Sequence, residues 1–272
     1  MNDLEAISRL VEALRPWLAQ LVIVGGWAHR LHRSHPLADP PSYLPLLTRD
    51  ADVAFSPTAA LQGDMAAALK AAGFHEELSG EHTPPVSQYW LGEAQHGFYT
   101  EFLAPLRGSG VRRDGQPDAT LVRAGVTAQR LRYMDLLLLH PLAVRLGREV
   151  GMPLEKPAEV NLANPASFIA QKLLIQKERA PGKRPQDVLY IHDTVELFGN
   201  HLDALQSMWR DQLRPSLAAS TVDRVERLAR QRFTAVDDVI RTAARIPQDR
   251  ALTPERVRAV CAYGLETIYG TA

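Results

Sequence analysis

The chain's 272 residues, with 31 Lys+Arg balanced by 31 Asp+Glu, exceed the usual size of one domain and predict two packed domains. A formal charge of zero excludes a general electrostatic pull toward nucleic acid or anionic membrane, and 46% hydrophobic with 23% charged residues excludes a disordered polyelectrolyte. A single cysteine, Cys261, excludes an internal disulfide framework and a thiolate-rich zinc site.

Residues 3 to about 19 place Leu4, Ile7, Leu10, Val11 and Leu14 at helical spacing. Their early acids and the lack of a basic leader before an apolar block predict no secretory signal. The most apolar run, Leu136 to Leu139, falls far short of the roughly 20 residues that cross a bilayer, so a soluble cytoplasmic protein is expected. Leu21 to Val24 reads as a short strand that stops at Gly25-Gly26, with helix resuming from Trp27. A proline-rich loop, His35 to Pro45, leads to a second strand around Asp50 to Phe55. A helix is expected over Thr58 to Ala72, closed by Gly73.

Ser87 to Leu91 and Phe98 to Leu103 suggest a hairpin with GEAQHG as its turn, and residues 104–120 a surface loop. Tyr133 to Leu139, Ala143 to Leu146 and Glu159 to Leu162 are candidate strands, although Leu136 to Leu139 fits a buried helix equally well. Asn164-Pro165 makes a helix N-cap and first turn, and from there the pattern is helical, over residues 201–217, 220–244 and 253–268 among others. The expectation is a mixed α/β (α+β) domain over 1–163 and a helical domain over 164–272.

Asp50 and Asp52 carry the chemistry. Side chains at i and i+2 of a strand share a face, with Cα atoms roughly 6.5–7 Å apart. Two carboxylates that close repel unless a cation lies between them, and Mg²⁺, which prefers hard oxygen ligands shared with phosphates, is the natural candidate. The Gly25-Gly26 turn offers unobstructed backbone N–H groups to an anion. Glu101, in the apolar strand FYTEFLAPL, reads either as a solvated edge residue or as a third metal ligand.

Other features read as structural. Trp27 fits the core better than a base pocket, and His29, His32 and His35 read as scattered surface histidines. His192-Asp193 reads as helical surface, and Arg224, Arg227, Arg230 and Arg232 as a solvated face. VGGWA does not make G-x-G-x-x-G, and no G-x-x-x-x-G-K-[ST] occurs, so neither a Rossmann nor a P-loop site is supported.

Strand, Gly-Gly, helix, then T-x-D-x-D on a strand, then a strand-borne acid: with Gly25, Gly26, Thr48, Asp50, Asp52 and Glu101, the chain resembles the DNA polymerase β-like nucleotidyltransferases. It looks most like bacterial nucleotidyltransferase-fold proteins of uncertain substrate, with toxin-type and antibiotic-modifying relatives. Lys172-Leu173, Lys183-Arg184 and Asp187 match a helix, basic loop and Asp-opening helix found after the catalytic sheet in similar families. The resemblance covers residues 20–200. It departs at the turn, where many members have Gly-Ser and this chain has Gly-Gly before Trp27.

The resemblance implies a mixed sheet flanked by helices, then a helical domain, and a two-metal transfer of NMP from an NTP, with ATP or GTP among the donors. Asp50 and Asp52 would bind both Mg²⁺ (or Mn²⁺) ions, and Glu101 the one that activates the acceptor hydroxyl. The Gly25-Gly26 amides and Thr48 would lie at the nucleotide, and Lys172 or Lys183 would neutralise the leaving pyrophosphate, unless Lys172 only snorkels from a half-buried face. The acceptor would be a small molecule, an RNA end or a protein side chain; no membrane and no extended nucleic-acid surface is expected. The alternative is an inactive nucleotide-binding or toxin/antitoxin-type interaction protein that keeps the fold.

Overall fold

The computed structural model describes residues 2–81, 83–92, 97–112 and 115–270. They form two compact units, Met1–Ser34 with Leu47–Ala163, and His35–Leu46 with Asn164–Ala272. The proline-rich loop His35–Leu46 therefore belongs with the helices, a return of the chain that a single cut at residue 163 does not contain.

In the first unit α1 (Asp3–Ala13) begins in a capping box between Asn2 and Glu5. The predicted helix to about residue 19 stops early because Pro16 has no N–H to continue the ladder, and Arg15–Gln20 is a 3₁₀ turn. β1 (Val22–Val24) runs into α2 (Gly25–Leu31), and β2 (Asp50–Ala54) follows. The helix expected over 58–72 is shorter: α3 spans Met65–Ala71, started by Asp64, whose side chain accepts from the Ala67 N–H at 2.9 Å.

β3 (His75–Ser79), β4 (Val86–Leu91), β5 (Phe98–Pro105), β6 (Thr120–Arg123) and β7 (Val126–Leu131) come next. α4 (Met134–Leu137), β8 (Leu142–Leu146) and β9 (Ala158–Leu162) complete the unit. The β4–β5 hairpin forms, while residues 93–96 of its GEAQHG turn lie outside the described residues. The apolar run after Tyr133 is helix, not strand. The β6–β7 hairpin turns on Ala124 (φ 45°) and Gly125 (φ 80°), both left-handed as a two-residue hairpin turn favours.

Among the described residues nine strands join one sheet in the order β3-β4-β5-β2-β1-β9-β8, with β7 on β5 and β6 on β7. The pairings β1·β9, β2·β5 and β5·β7 are parallel and the others antiparallel. Alternation along the central strands sorts the faces. Ala51, Val53, Tyr89, Thr100 and Phe102 are fully buried on one face, and Asp50, Asp52, Gln88, Tyr99 and Glu101 occupy the other, half-buried.

The second unit holds α5 (Pro165–Ile175), α6 (Arg184–Leu197), α7 (Leu202–Ser207), α8 (Ala219–Arg232), α9 (Asp238–Ala244) and α10 (Pro254–Tyr269). The Asn164 side chain caps α5 by accepting from the Ala166 N–H at 2.9 Å. α5 and α6 are buried along most of their length. α10 crosses α6 so closely at Gly264 that a Cβ there would overlap Val195. No helix among the described residues is long and apolar enough to cross a membrane.

Candidate active site

The site begins where β1 ends. Gly25 takes φ +63°, a left-handed conformation that disfavours a Cβ, and a Cβ there would overlap Oδ2 of Asp52. Only glycine lets the main chain lie against that carboxylate. Gly26 then continues into α2, and Trp27, wholly buried, packs edge-on to Phe98 at 6.0 Å.

Register brings the acids together. Asp52 stands opposite Val24 on β1 and opposite Glu101 on β5, while Asp50 stands opposite Tyr99. Directly opposed residues share a sheet face, so Asp50, Asp52 and Glu101 project to the same side. The Thr48 hydroxyl donates to Oδ1 of Asp50, and Gln88 Nε2 donates to Oε2 of Glu101 at 3.4 Å. Burial pushes the Glu101 carboxyl above the ordinary glutamate range; the charge of Asp50 adds to this, and hydrogen bonding with Gln88 and Asp52 opposes it. Tyr99, which stacks on Trp90 with ring centroids 4.4 Å apart, keeps its phenol proton because of burial and then the nearby charges of Asp50, Glu101 and Asp52.

Gly25, Gly26, Thr48, Asp50, Asp52 and Glu101 thus belong to one neighbourhood of the first unit. The two lysines belong to the second. Lys172 is buried, with its ammonium 2.9 Å from Oδ1 of Asp187 and over the rings of Phe168 and Tyr190 at 5.4 and 5.3 Å. Arg179 reaches the other oxygen of Asp187 at 3.1 Å. Lys172 and Asp187, both part of the sequence resemblance, therefore hold each other. Lys183 is exposed in a one-turn 3₁₀ segment before α6.

Several histidine readings are corrected. His29 and His32 are buried (2% and 0% exposed) rather than on the surface, with His32 Nε2 2.8 Å from the Ala163 carbonyl. His192 and Asp193 are likewise interior. His192, Asp193 and Glu196 form a group whose metal-ligating atoms all lie within 4.8 Å of one another. That group already has counter-charges. Arg250 Nη2 is 2.6 Å from Asp193, Arg256 Nη2 is 2.7 Å from Glu196, and the Tyr43 hydroxyl donates to Glu196 at 2.7 Å. The signal for it was the H-D-x-x-E spacing, which puts residues 192 and 196 on one helical face. Tyr99 shares the Glu101 face by strand periodicity alone, whereas Gln88 and Trp90 were not singled out from the sequence, because only register brings them there.

The model of a nucleotidyltransferase family matches residues 2–214. The chain belongs to that nucleotidyltransferase family. The match takes in the whole acid-bearing sheet and the helices through α7. No curated protein matches the sequence. Among solved structures the enzyme is similar to MenT4, a nucleotidyltransferase toxin from Mycobacterium tuberculosis H37Rv, at 13% identity and a TM-score of 0.41, covering 99% of this chain and 84% of that one.

Proposed function

We propose that this nucleotidyltransferase moves a nucleoside monophosphate from an NTP to a hydroxyl acceptor at the face bearing Asp50, Asp52 and Glu101. The observation that carries the reading is the β1–β2–β5 register, with Asp52 opposite both Val24, the last residue before the glycine turn, and Glu101. The donor set fits a hard divalent cation such as Mg²⁺ or Mn²⁺: three carboxylates share a face of the sheet, and a cation there would offset their mutual repulsion. Asp50 and Asp52 would hold the ions in common and Glu101 one of them. A cation bound there lowers the pKa of the acceptor hydroxyl and offsets charge on the entering and leaving oxygens.

The chain's own groups do the rest. Thr48 fixes the Asp50 side chain through its hydroxyl. Gly25 brings main chain, not a side chain, against Asp52, and the amides of the Gly25-Gly26 turn would take the phosphate oxygens. The proton that the acceptor gives up passes to water, with Glu101 kept in place as a ligand by the hydrogen bond from Gln88. The acceptor oxygen bonds to the α-phosphorus, the bond from that phosphorus to the bridging oxygen breaks, and pyrophosphate leaves with the electron pair. Lys172 is committed to Asp187, so its ammonium is not assigned to the pyrophosphate. The acceptor is a hydroxyl of a small molecule, an RNA end or a protein. Incubation with each α-labelled NTP, Mg²⁺ or Mn²⁺ and a cell extract, followed by separation of the three fractions, reads which one. Label in none of them under any of the four nucleotides would overturn the reading.

A further inference from the structure

The helical unit carries a groove of about 820 Å³, within the roughly 300–1,000 Å³ of small-molecule sites. Its walls are the end of α5, the first residue of α6, and α8 with its turn into α9. The floor is apolar, made by Leu173, Leu174, Leu228 and Val239. Around it stand Lys177, Arg184, Arg224, Arg227 and Arg232, against one acid, Asp237. The arginines of α8, read from sequence as a solvated face, are in part the wall of this concavity.

Asp237 is taken by Arg232 at 2.9 Å, whereas Lys177, Arg184 and Arg227 form no ion pair with a carboxylate among the described residues. In a chain of zero net charge this is a local excess of positive charge in a concave site, where it attracts anions most strongly. Arg184 is also held in place, donating to the carbonyls of Arg179 at 3.0 Å and Lys177 at 3.2 Å. A guanidinium fixed in this way keeps further N–H donors for a ligand.

We propose that this groove binds a soluble small molecule that joins a phosphate group to an apolar body, the phosphate on the cations and the body on the leucines. A nucleic-acid strand suits it less: no aromatic side chain lines the groove to stack a base, and a sugar–phosphate backbone leaves the leucine floor uncovered. The inference is independent of the transferase reading, since every lining residue lies in the helical unit and none belongs to the acid triad.

The test is calorimetric titration of the full chain, in metal-free buffer with chelator, against sub-micellar octyl phosphate, with inorganic phosphate and octanol as its two halves. Octyl phosphate should bind one to one, at least about tenfold more tightly than either half, and more weakly as salt rises. Arg227→Gln combined with Lys177→Gln should lower that affinity about ten- to a hundredfold, the range for charge-assisted hydrogen bonds. Leu228→Asn should weaken octyl phosphate but not inorganic phosphate; if it does not fold, Val239→Thr makes the same comparison. Octyl phosphate binding no better than inorganic phosphate, or binding that ignores these substitutions, would overturn the proposal. So would tighter binding of phosphatidylglycerol vesicles or of a single-stranded RNA dodecamer that the same double variant abolishes.

Discussion

At the scale of single residues, Gly25 is a position with little freedom. Gly25→Ala meets both a left-handed φ, worth roughly 1–2 kcal/mol for a residue with a Cβ, and overlap with Asp52. Its denaturation midpoint should fall and its transfer activity should drop further than the stability loss explains, because Asp52 must move. His35 gives a pH prediction. Burial lowers its pKa from 6.5, and its Nδ1 accepts from the Leu37 N–H at 3.1 Å. A depressed folded pKa stabilises above the unfolded value, so this contribution is present above pH 6.5 and is lost as the pH falls toward the lowered folded value. His35→Asn keeps an acceptor without the titration, and urea midpoints between pH 7.5 and 5, in ~0.5 steps, should decline less for it than for the parent. The carboxylate pair was legible because a strand's period of two is local. The burial of His29, His32 and His192 was not, since a histidine's exposure is decided by what packs on it from elsewhere in the chain.

At the scale of elements, α5 and α6 are joined by the buried Lys172–Asp187 pair. Removing one partner of such a pair typically costs about 3–5 kcal/mol, and Arg179, still 3.1 Å from Asp187, should bring Lys172→Met to the lower end. The double variant Lys172→Met, Asp187→Leu should recover much of the loss, because no uncompensated charge then stays inside; equal destabilisation of single and double variants in chemical denaturation would rule out the ion pair as the cause. The sequence marked Lys172 and Asp187 but not their partnership, which depends on how two helices pack. β1 was readable as a short β-rich run stopped by Gly25-Gly26, and β2, β4 and β5 as strand-like segments closed by proline or a glycine-bearing turn. β3, HEELS, was not: it is a mostly exposed edge strand and has no buried face to impose a period. Pro16 was visible, yet the amphipathic pattern runs through it, and the missing N–H prevailed over the pattern.

At the scale of the whole molecule, Asn164-Pro165 announces the change to helix within the sequence itself. The return of His35–Leu46 to the helical unit has no such local mark. It is fixed by remote bonds, from the Asp39 N–H to the Leu197 carbonyl at 2.8 Å and from the Leu44 N–H to Asp249 at 2.7 Å. Family membership covers residues 2–214, so the central claim is the location of transfer on the acid-bearing face of the sheet. Asp52→Asn tests it while preserving shape, since the amide is isosteric with the carboxylate and brings an N–H donor beside Glu101. Without metal this variant should be as stable as the parent or more so, as one of three crowded negative charges is gone. The direct measurement is transfer from α-labelled against γ-labelled NTP, with Mg²⁺, by the parent and by Asp52→Asn. Only the α label should reach the acceptor, the γ label should leave in pyrophosphate, and folded Asp52→Asn should lose about 10²–10³-fold or more of the rate, as for other electrostatic stabilisers of developing charge. Transfer of the γ label, or an undiminished rate in Asp52→Asn, would contradict it.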